Sequence, residues 1–352
     1  MKTIESNGKV LSTKFDFEIV DKDYMNTITE EFFKKPDFDV VRDCFLKIIK
    51  SDSKNIKPIT DYYFRWLMNE CTRHDCKLSV NQAMSDINVF SLIYGIINRR
   101  EKYFFYTQGG KKDVEDVCEA FRQYFAMGGA GVAGSVAQFP FPTVQYILNK
   151  YNVNDNYYDF SCGWGCRLTG ALCNNINYYG TDPNYLLVDK LNCLYDDFSK
   201  IVKDAPEVKI FCSGSENHIE ELDNKIGLAF SSTPYFKLED YKYGNQSCNL
   251  DSYEEWKEKY LLPTISNIYN YLVDGGIFVI NIKNYQKYTM EEDTVKIAEE
   301  IGFNFVTTED LYLNKNYVRM SGTKDSQTVT ITEPMFVFSK GSPKFLRKSI
   351  LW

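Results

Sequence analysis

The chain has 352 residues, 44% of them hydrophobic and 25% charged, with a formal net charge of −7. That length can bury a large core, in one large domain or two unequal ones, and the composition is that of an ordinary globular protein. The acidic balance argues against a surface uniformly attractive to nucleic acid, although it leaves room for local basic strips.

The N-terminus, MKTIESNGKVLSTKFDF, lacks the apolar core of a secretory signal, and no apolar run approaches the roughly 18–20 residues of a membrane span. A cytoplasmic protein is expected, with no membrane partner. Residues 1–127 read as a mainly helical region. NTITEEFFKKPDFDVVRDCFLKIIK, PITDYYFRWLMNE and DVEDVCEAFRQYFAM carry apolar residues at helical spacing. Within it, CTRHDC holds Cys71, His74 and Cys76, but the spacing matches no common zinc module and a fourth ligand is missing, so no metal site is expected. The ten cysteines are scattered without a regular framework, which predicts free thiols. Arg99-Arg100 with Lys102, Lys111-Lys112, and the tail Lys340, Lys344, Arg347 and Lys348 are basic strips that suit either phosphates or a solvated face.

Residues 128–141, within MGGAGVAGSVAQFPFP, are rich in Gly and Ala and end in prolines. GGAGVAG follows a helix rather than a strand, which disfavours a phosphate loop and favours a hinge. From residue 142 to 352 the pattern alternates. After the helix TVQYILNKY, strands are expected at 157–161, 177–181, 208–212, 226–231 and 276–282, and helices at 168–175, 185–202 and 253–272. EEDTVKIAEEIG reads as a further helix, and FNFVTTEDLYL and EPMFVFSK as a closing strand pair. Such alternation predicts an α/β fold, a mostly parallel sheet covered on both faces. Ligands bind such sheets at the carboxyl ends of the strands.

After the first of these strands stands Ser161-Cys162-Gly163-Trp164-Gly165, where two glycines allow a tight turn against a bulky ligand. After the second stands Asp182, placed either to accept hydrogen bonds from ribose hydroxyls or to cap the helix beginning near Tyr185. Together they suit a dinucleotide oxidoreductase or a class I methyltransferase. At the end of the fourth strand, in LAFSSTPYFKLEDY, stands Ser232-Thr233-Pro234-Tyr235.

This tetrapeptide resembles the (Asp/Asn/Ser)-Pro-Pro-(Tyr/Phe) signature of the DNA amino-methyltransferases, which methylate an exocyclic amino group of adenine or cytosine. DFSCGWGCRLTGAL, with Asp159 and Ser161, resembles the first motif of phage and bacterial DNA methylases. YYGTDPN resembles their second strand with its ribose acid, CSGSE with Glu216 their third motif, and QFPFPTVQYIL with Phe139 the segment covering the donor. The match runs from about residue 139 to 282. It implies a Rossmann-like class I methyltransferase sheet with an antiparallel last strand, S-adenosylmethionine as donor, and double-stranded DNA with a flipped-out base as partner. By the same resemblance Phe139, Asp159, Ser161, Gly163, Trp164, Gly165, Asp182, Glu216 and Ser231 would line the donor site. Ser232, Thr233, Pro234 and Tyr235 would be catalytic. Target recognition would fall to the N-terminal helices or to residues 315–332, and the enzyme would be site-specific, in the manner of restriction-modification methylases.

Two residues depart from the pattern: Cys166 replaces a glycine, and Thr233 stands where the family has proline. The carbonyl of Thr233 can still accept an amino hydrogen, but the rigid ring is lost. A Thr233→Pro change is expected to be tolerated, with activity equal or higher, provided the position already has a proline-compatible φ and needs no N–H. An RNA or protein amide methyltransferase and a catalytically silent donor- or DNA-binding module stay open as alternatives. A nicotinamide enzyme would leave the tetrapeptide without a role. The target base and the oligomeric state are not legible.

Overall fold

A computed structural model describes residues 2–13, 16–99, 113–151, 154–319 and 326–343. Of the basic strips, Arg100, Lys102, Lys111, Lys112, Lys344, Arg347 and Lys348 lie outside the described residues. The chain divides into two compact units, each assembled from separate stretches: residues 1–38, 64–137 and 237–242 in the first, and 39–63, 138–236 and 243–352 in the second.

The first unit opens with a hairpin, β1 (Lys2–Ser6) and β2 (Lys9–Thr13), that was not expected. Its turn is Asn7-Gly8, both at positive φ (50° and 70°), the backbone a two-residue hairpin loop demands. Helix α1 (Lys22–Phe32) follows, its first turn capped by Asp21. Helices α2 (Phe38–Ile49) and α3 (Lys57–Tyr63) come next. From residue 39 to 63 they count with the second unit: Phe45 packs edge-on against Phe198 at 5.3 Å, and the Tyr63 hydroxyl donates to Asp197 at 2.8 Å. The first unit resumes with α4 (Arg65–Glu70), β3 (Thr72–Arg73), α5 (Val80–Ser85), α6 (Ile87–Arg99) and α7 (Val114–Ala126). Ser79 and Gln82 close a reciprocal capping box on α5. Ile28, Phe90, Ile93, Phe121 and Phe125 form the centre of its core.

The glycine-rich segment after α7, expected as a hinge, is built into this unit as far as Ala137. Tyr124 donates its hydroxyl to Gly129 O at 2.5 Å, and the Leu78 N–H reaches Val132 O at 2.9 Å. Gly128, Gly129 and Gly131 all have positive φ there, so the glycines serve a tight turn.

The second unit continues with α8 (Phe141–Tyr151), β4 (Asn156–Asp159), α9 (Cys166–Cys173), β5 (Asn177–Thr181), α10 (Tyr185–Ile201), β6 (Val208–Phe211) and β7 (Ile226–Ser232). The short strand β8 (Glu239–Asp240) pairs with β3 in the first unit. Then come α11 (Tyr253–Trp256), a π-helical stretch (Lys257–Leu261), α12 (Leu262–Tyr271), β9 (Leu272–Asn281), α13 (Met290–Ile301), β10 (Asn304–Arg319) and β11 (Ser326–Ser339). The seven-stranded sheet has the order β10-β11-β9-β7-β4-β5-β6. All pairs from β9 to β6 are parallel, and β11 is antiparallel to both β9 and β10. This is the Rossmann-like, mostly parallel sheet with an antiparallel last strand that the alternation and the resemblance predict. From β4 the chain builds outward through β5 and β6, then returns to β7 on the other side. The switch point therefore lies between β4 and β7, where such sheets hold their ligands.

Helices α8 and α9 meet at Gly170, where an added Cβ would lie 2.6 Å from Val144 Cγ1. Val144 is fully buried and, being β-branched on a helix, cannot swing away cheaply. Gly170→Ala would gain up to ~1 kcal/mol of helix propensity, but the overlap costs more. A net loss of about 1–2 kcal/mol is expected, measured by urea denaturation.

Candidate functional site

The carboxyl ends of β7, β4 and β5, adjacent strands in that order, carry most of the residues singled out in the sequence. At the end of β4, Asp159 is fully buried and accepts from Arg167 Nε and from the Tyr178 hydroxyl, each at 2.9 Å, and from the Ser161 N–H at 3.3 Å. The Arg167 guanidinium also donates to Ser161 O, stands 3.5 Å from Ser232 Oγ through Nη1, and lies over the Phe139 ring at 5.4 Å. Arg167, eight residues past Asp159 and on α9, carries no sequence signal of its own. It touches the β4 turn, the β7 end and Phe139 together.

The turn between β4 and α9 depends on its glycines. Gly163 (φ 55°) and Gly165 (φ 68°) are both left-handed, and the Gly165 N–H closes on Gly163 O at 2.9 Å. Trp164 is buried, and its carbonyl accepts from Gln138 Nε2 at 3.3 Å. Cys166 begins α9 and its thiol donates to Phe139 O at 3.1 Å, so it ties down the segment preceding α8. Gly180 lets β5 pass the turn: a Cβ there would meet Cys162 Sγ at 2.5 Å.

Asp182 follows β5 and is only 8% exposed. Its Oδ1 accepts the Asn184 N–H at 3.0 Å. Asn184, not Asp182, caps α10, accepting from the N–H groups of Leu186 and Leu187 at 3.2 Å. The capping alternative for Asp182 is thereby removed. Burial pushes its carboxyl up to about 7, against the opposing pull of the Asn184 and Gly163 N–H groups. A buried carboxylate served by backbone donors alone retains acceptor capacity for a ligand's hydroxyls.

At the end of β7, Ser231 is buried and donates to Ser161 O at 3.1 Å, joining the β7 and β4 ends. Thr233 is buried too: its N–H points at Asn281 O at 3.4 Å, and its hydroxyl pairs with that of Tyr260 at 2.9 Å. The condition on which Thr233→Pro was expected to be tolerated is therefore not met, since proline would remove both contacts. Pro234 and Tyr235 are half-buried, and Tyr235 packs against the aromatic core that contains Phe236, Trp256 and Tyr260.

Glu216 lies past β6, one strand farther from the switch point, where burial raises its carboxyl. Its oxygens crowd Gly214, where a Cβ would meet them at 2.3 Å. Neighbouring His218 is committed to the fold, with ring nitrogens 3.3 Å from Asn267 and Asp223. Among the described residues, no group of three or more His, Cys, Asp or Glu side chains is placed to hold a metal ion, and no helix is long and apolar enough to cross a membrane.

No family model and no curated protein matches the sequence. Solved structures do match in fold. A SAM-dependent O-methyltransferase from Thermotoga maritima is similar over 59% of this chain at 12% identity and a TM-score of 0.38, and the match spans 66% of that enzyme's length. A precorrin-6y C5,15-methyltransferase from Geobacter metallireducens matches over 56% of this chain and 88% of its own, at 10% identity and a TM-score of 0.37. A TehB-like SAM-dependent methyltransferase from Corynebacterium glutamicum matches over 62% and 95%, at 13% identity and a TM-score of 0.35. The Rossmann-like order of the sheet stands on its own strand topology. At these identities and TM-scores the likeness carries no argument about the chain's activity or family.

Proposed function

We propose that the protein transfers a methyl group from S-adenosylmethionine to an exocyclic amino group of a base in DNA, cytosine or adenine. The observation that carries this is the convergence, on three adjacent strand ends at the switch point, of a glycine turn, a buried carboxylate and a Ser-Thr-Pro-Tyr turn. The donor's chemistry fits the residues present. Asp182 would accept the ribose hydroxyls, and the turn at 163–165 would let the backbone approach. Phe139, Asp159, Ser161, Trp164 and Ser231 would shape the walls, and Glu216 would meet the far side of the nucleoside. When bound, the sulfonium donor supplies an electrophilic methyl group. An aromatic amino group is a poor nucleophile because its lone pair is delocalised into the ring. Ser232 Oγ and the Thr233 carbonyl would accept its two hydrogens and draw the lone pair toward the methyl group. Transfer would form the C–N bond as the donor's C–S bond breaks, leaving S-adenosylhomocysteine as the thioether, and the amino nitrogen would lose its extra proton to solvent. Tyr235 would stack on the base, swung out of a duplex. Holding these groups in place is most of the catalysis.

The test is incubation with S-adenosylmethionine and plasmid DNA from a host lacking DNA methylation, followed by mass spectrometry of the nucleosides. Methylcytosine or methyladenine is expected, and neither product would overturn the assignment. Tyr235→Ala should cost about 1–3 kcal/mol of base stacking, seen in turnover and DNA binding. Donor affinity, measured by calorimetry, should stay within about twofold, the equivalent of ~0.4 kcal/mol. A variant that transfers methyl groups like the wild type would remove Tyr235 from the site.

A further inference from the structure

Resting on that function, we propose that Tyr260 is a positioning residue that does the work of the missing proline ring at Thr233. The second residue of the turn must present its carbonyl in one direction, and a proline would fix it by restricting φ. Threonine has no such restriction. Here the residue is held from outside instead. Its N–H is directed at Asn281 O, 3.4 Å away on the neighbouring strand, and its hydroxyl pairs at 2.9 Å with the hydroxyl of Tyr260. Both side chains are buried, so neither hydroxyl has ready access to water as a substitute. A buried hydroxyl pair lost on one side leaves the other unsatisfied, which makes such a tether costly to undo.

The π-helical stretch that carries Tyr260 gives this contact its geometry. Lys257–Leu261 is inserted between α11 and α12, and single π turns of this kind recur at functional sites. Trp256, Tyr260 and Leu261 are all buried along this part of the chain. Tyr260 rests on Trp256, ring centroids 5.5 Å apart, which fixes the direction of its hydroxyl. The phenol therefore stands as a rigid post behind the turn. Its hydroxyl meets the turn at the Thr233 hydroxyl, so its influence on the turn passes through Thr233.

Two measurements on the full chain test this. The first needs no substrate: amide hydrogen exchange of the wild type against Tyr260→Phe. Removing one hydroxyl should speed exchange at Thr233 and Tyr235 by roughly fivefold or more, the equivalent of one ordinary hydrogen bond. Unchanged exchange there overturns the positioning role whatever the substrate. The second is kinetic, with plasmid DNA from a methylation-free host. Tyr260→Phe and Thr233→Val should each lower kcat by roughly five- to tenfold, with donor Kd unchanged. The double variant should be no worse than either single one, because both remove the same tether. A Tyr260→Phe enzyme with normal kcat, or one whose loss follows donor affinity or unfolding midpoint, overturns the proposal. If the wild type methylates no DNA, the assigned function fails, and the exchange measurement decides the role of Tyr260 by itself.

Discussion

Arg167→Met is expected to destabilise the protein by about 3–5 kcal/mol, the cost of leaving a buried charge without its partner. The Arg167 and Asp159 side chains are 4% and 0% exposed, with Nε and Oδ2 at 2.9 Å. The Tyr178 hydroxyl and the Ser161 N–H still reach Asp159 in the variant, but two neutral donors do not replace a cation in a dry site. The turn from β4 to α9 would also lose its brace at Ser161 O. Adding Asp159→Asn removes the stranded charge, so the double variant should recover part of the loss. Urea denaturation of the wild type, both single variants and the double variant checks this. A loss below about 1 kcal/mol in Arg167→Met would mean that the pair merely breaks even against apolar packing.

Asp182→Asn should move stability and donor binding in opposite directions. The carboxyl is raised to about 7 in the folded chain by burial, above its unfolded value of ~3.9. The folded state therefore holds the proton more tightly, and between about pH 4 and pH 7 stability falls as pH rises. The penalty is complete above about pH 7 and absent below about pH 4. Asparagine is isosteric, stays neutral, and keeps an oxygen for the Asn184 N–H. At pH 8 the variant is expected to be more stable by on the order of 2–4 kcal/mol, with the difference vanishing near pH 4. If Asp182 holds the ribose as proposed, the variant's affinity for S-adenosylmethionine should drop by roughly 1.5–3 kcal/mol, since two charge-assisted bonds would be weakened. Wild-type affinity should for the same reason rise from pH 6 to pH 8. Chemical denaturation and calorimetry at pH 5, 6.5 and 8 read both effects. A variant less stable at pH 8 would show that the carboxylate serves the fold. Unchanged donor affinity would separate Asp182 from the ligand.

The second half of the chain is readable because its strands are short apolar runs set off by polar turns. β5 begins and ends where the sequence predicts, at 177 and 181. β9 starts four residues early, at Leu272, although Gly275-Gly276 looks like a turn. Backbone bonds from Gly275 to Lys340 O and from Lys340 to Gly276 O keep it extended, and these depend on a segment more than sixty residues away. The hairpin β1–β2 also carries a strong local signal, Asn7-Gly8 between alternating residues.

The site divides along the same line. The glycine turn, Asp182 and the Ser-Thr-Pro-Tyr stretch have local patterns and sit at strand ends. The Arg167–Asp159 pair and the Thr233–Tyr260 contact have none, because each depends on how separate elements pack. Whether Asp182 or Asn184 caps α10 is equally invisible, since both residue types cap helices and they stand two positions apart.

The interleaving of the two units has a consequence for how the chain acquires its structure during synthesis. The first unit lacks a strand until residues 237–242 emerge from the ribosome, and the second draws on residues 39–63, made long before the rest of it. Vectorial folding, one unit finished before the next begins, is therefore unavailable. Helices α2 and α3 must wait, with their apolar faces uncovered, for α10 to be translated. Nascent chains arrested near residue 150 should accordingly expose this segment to protease and to chaperones, and chains extended past residue 202 should protect it.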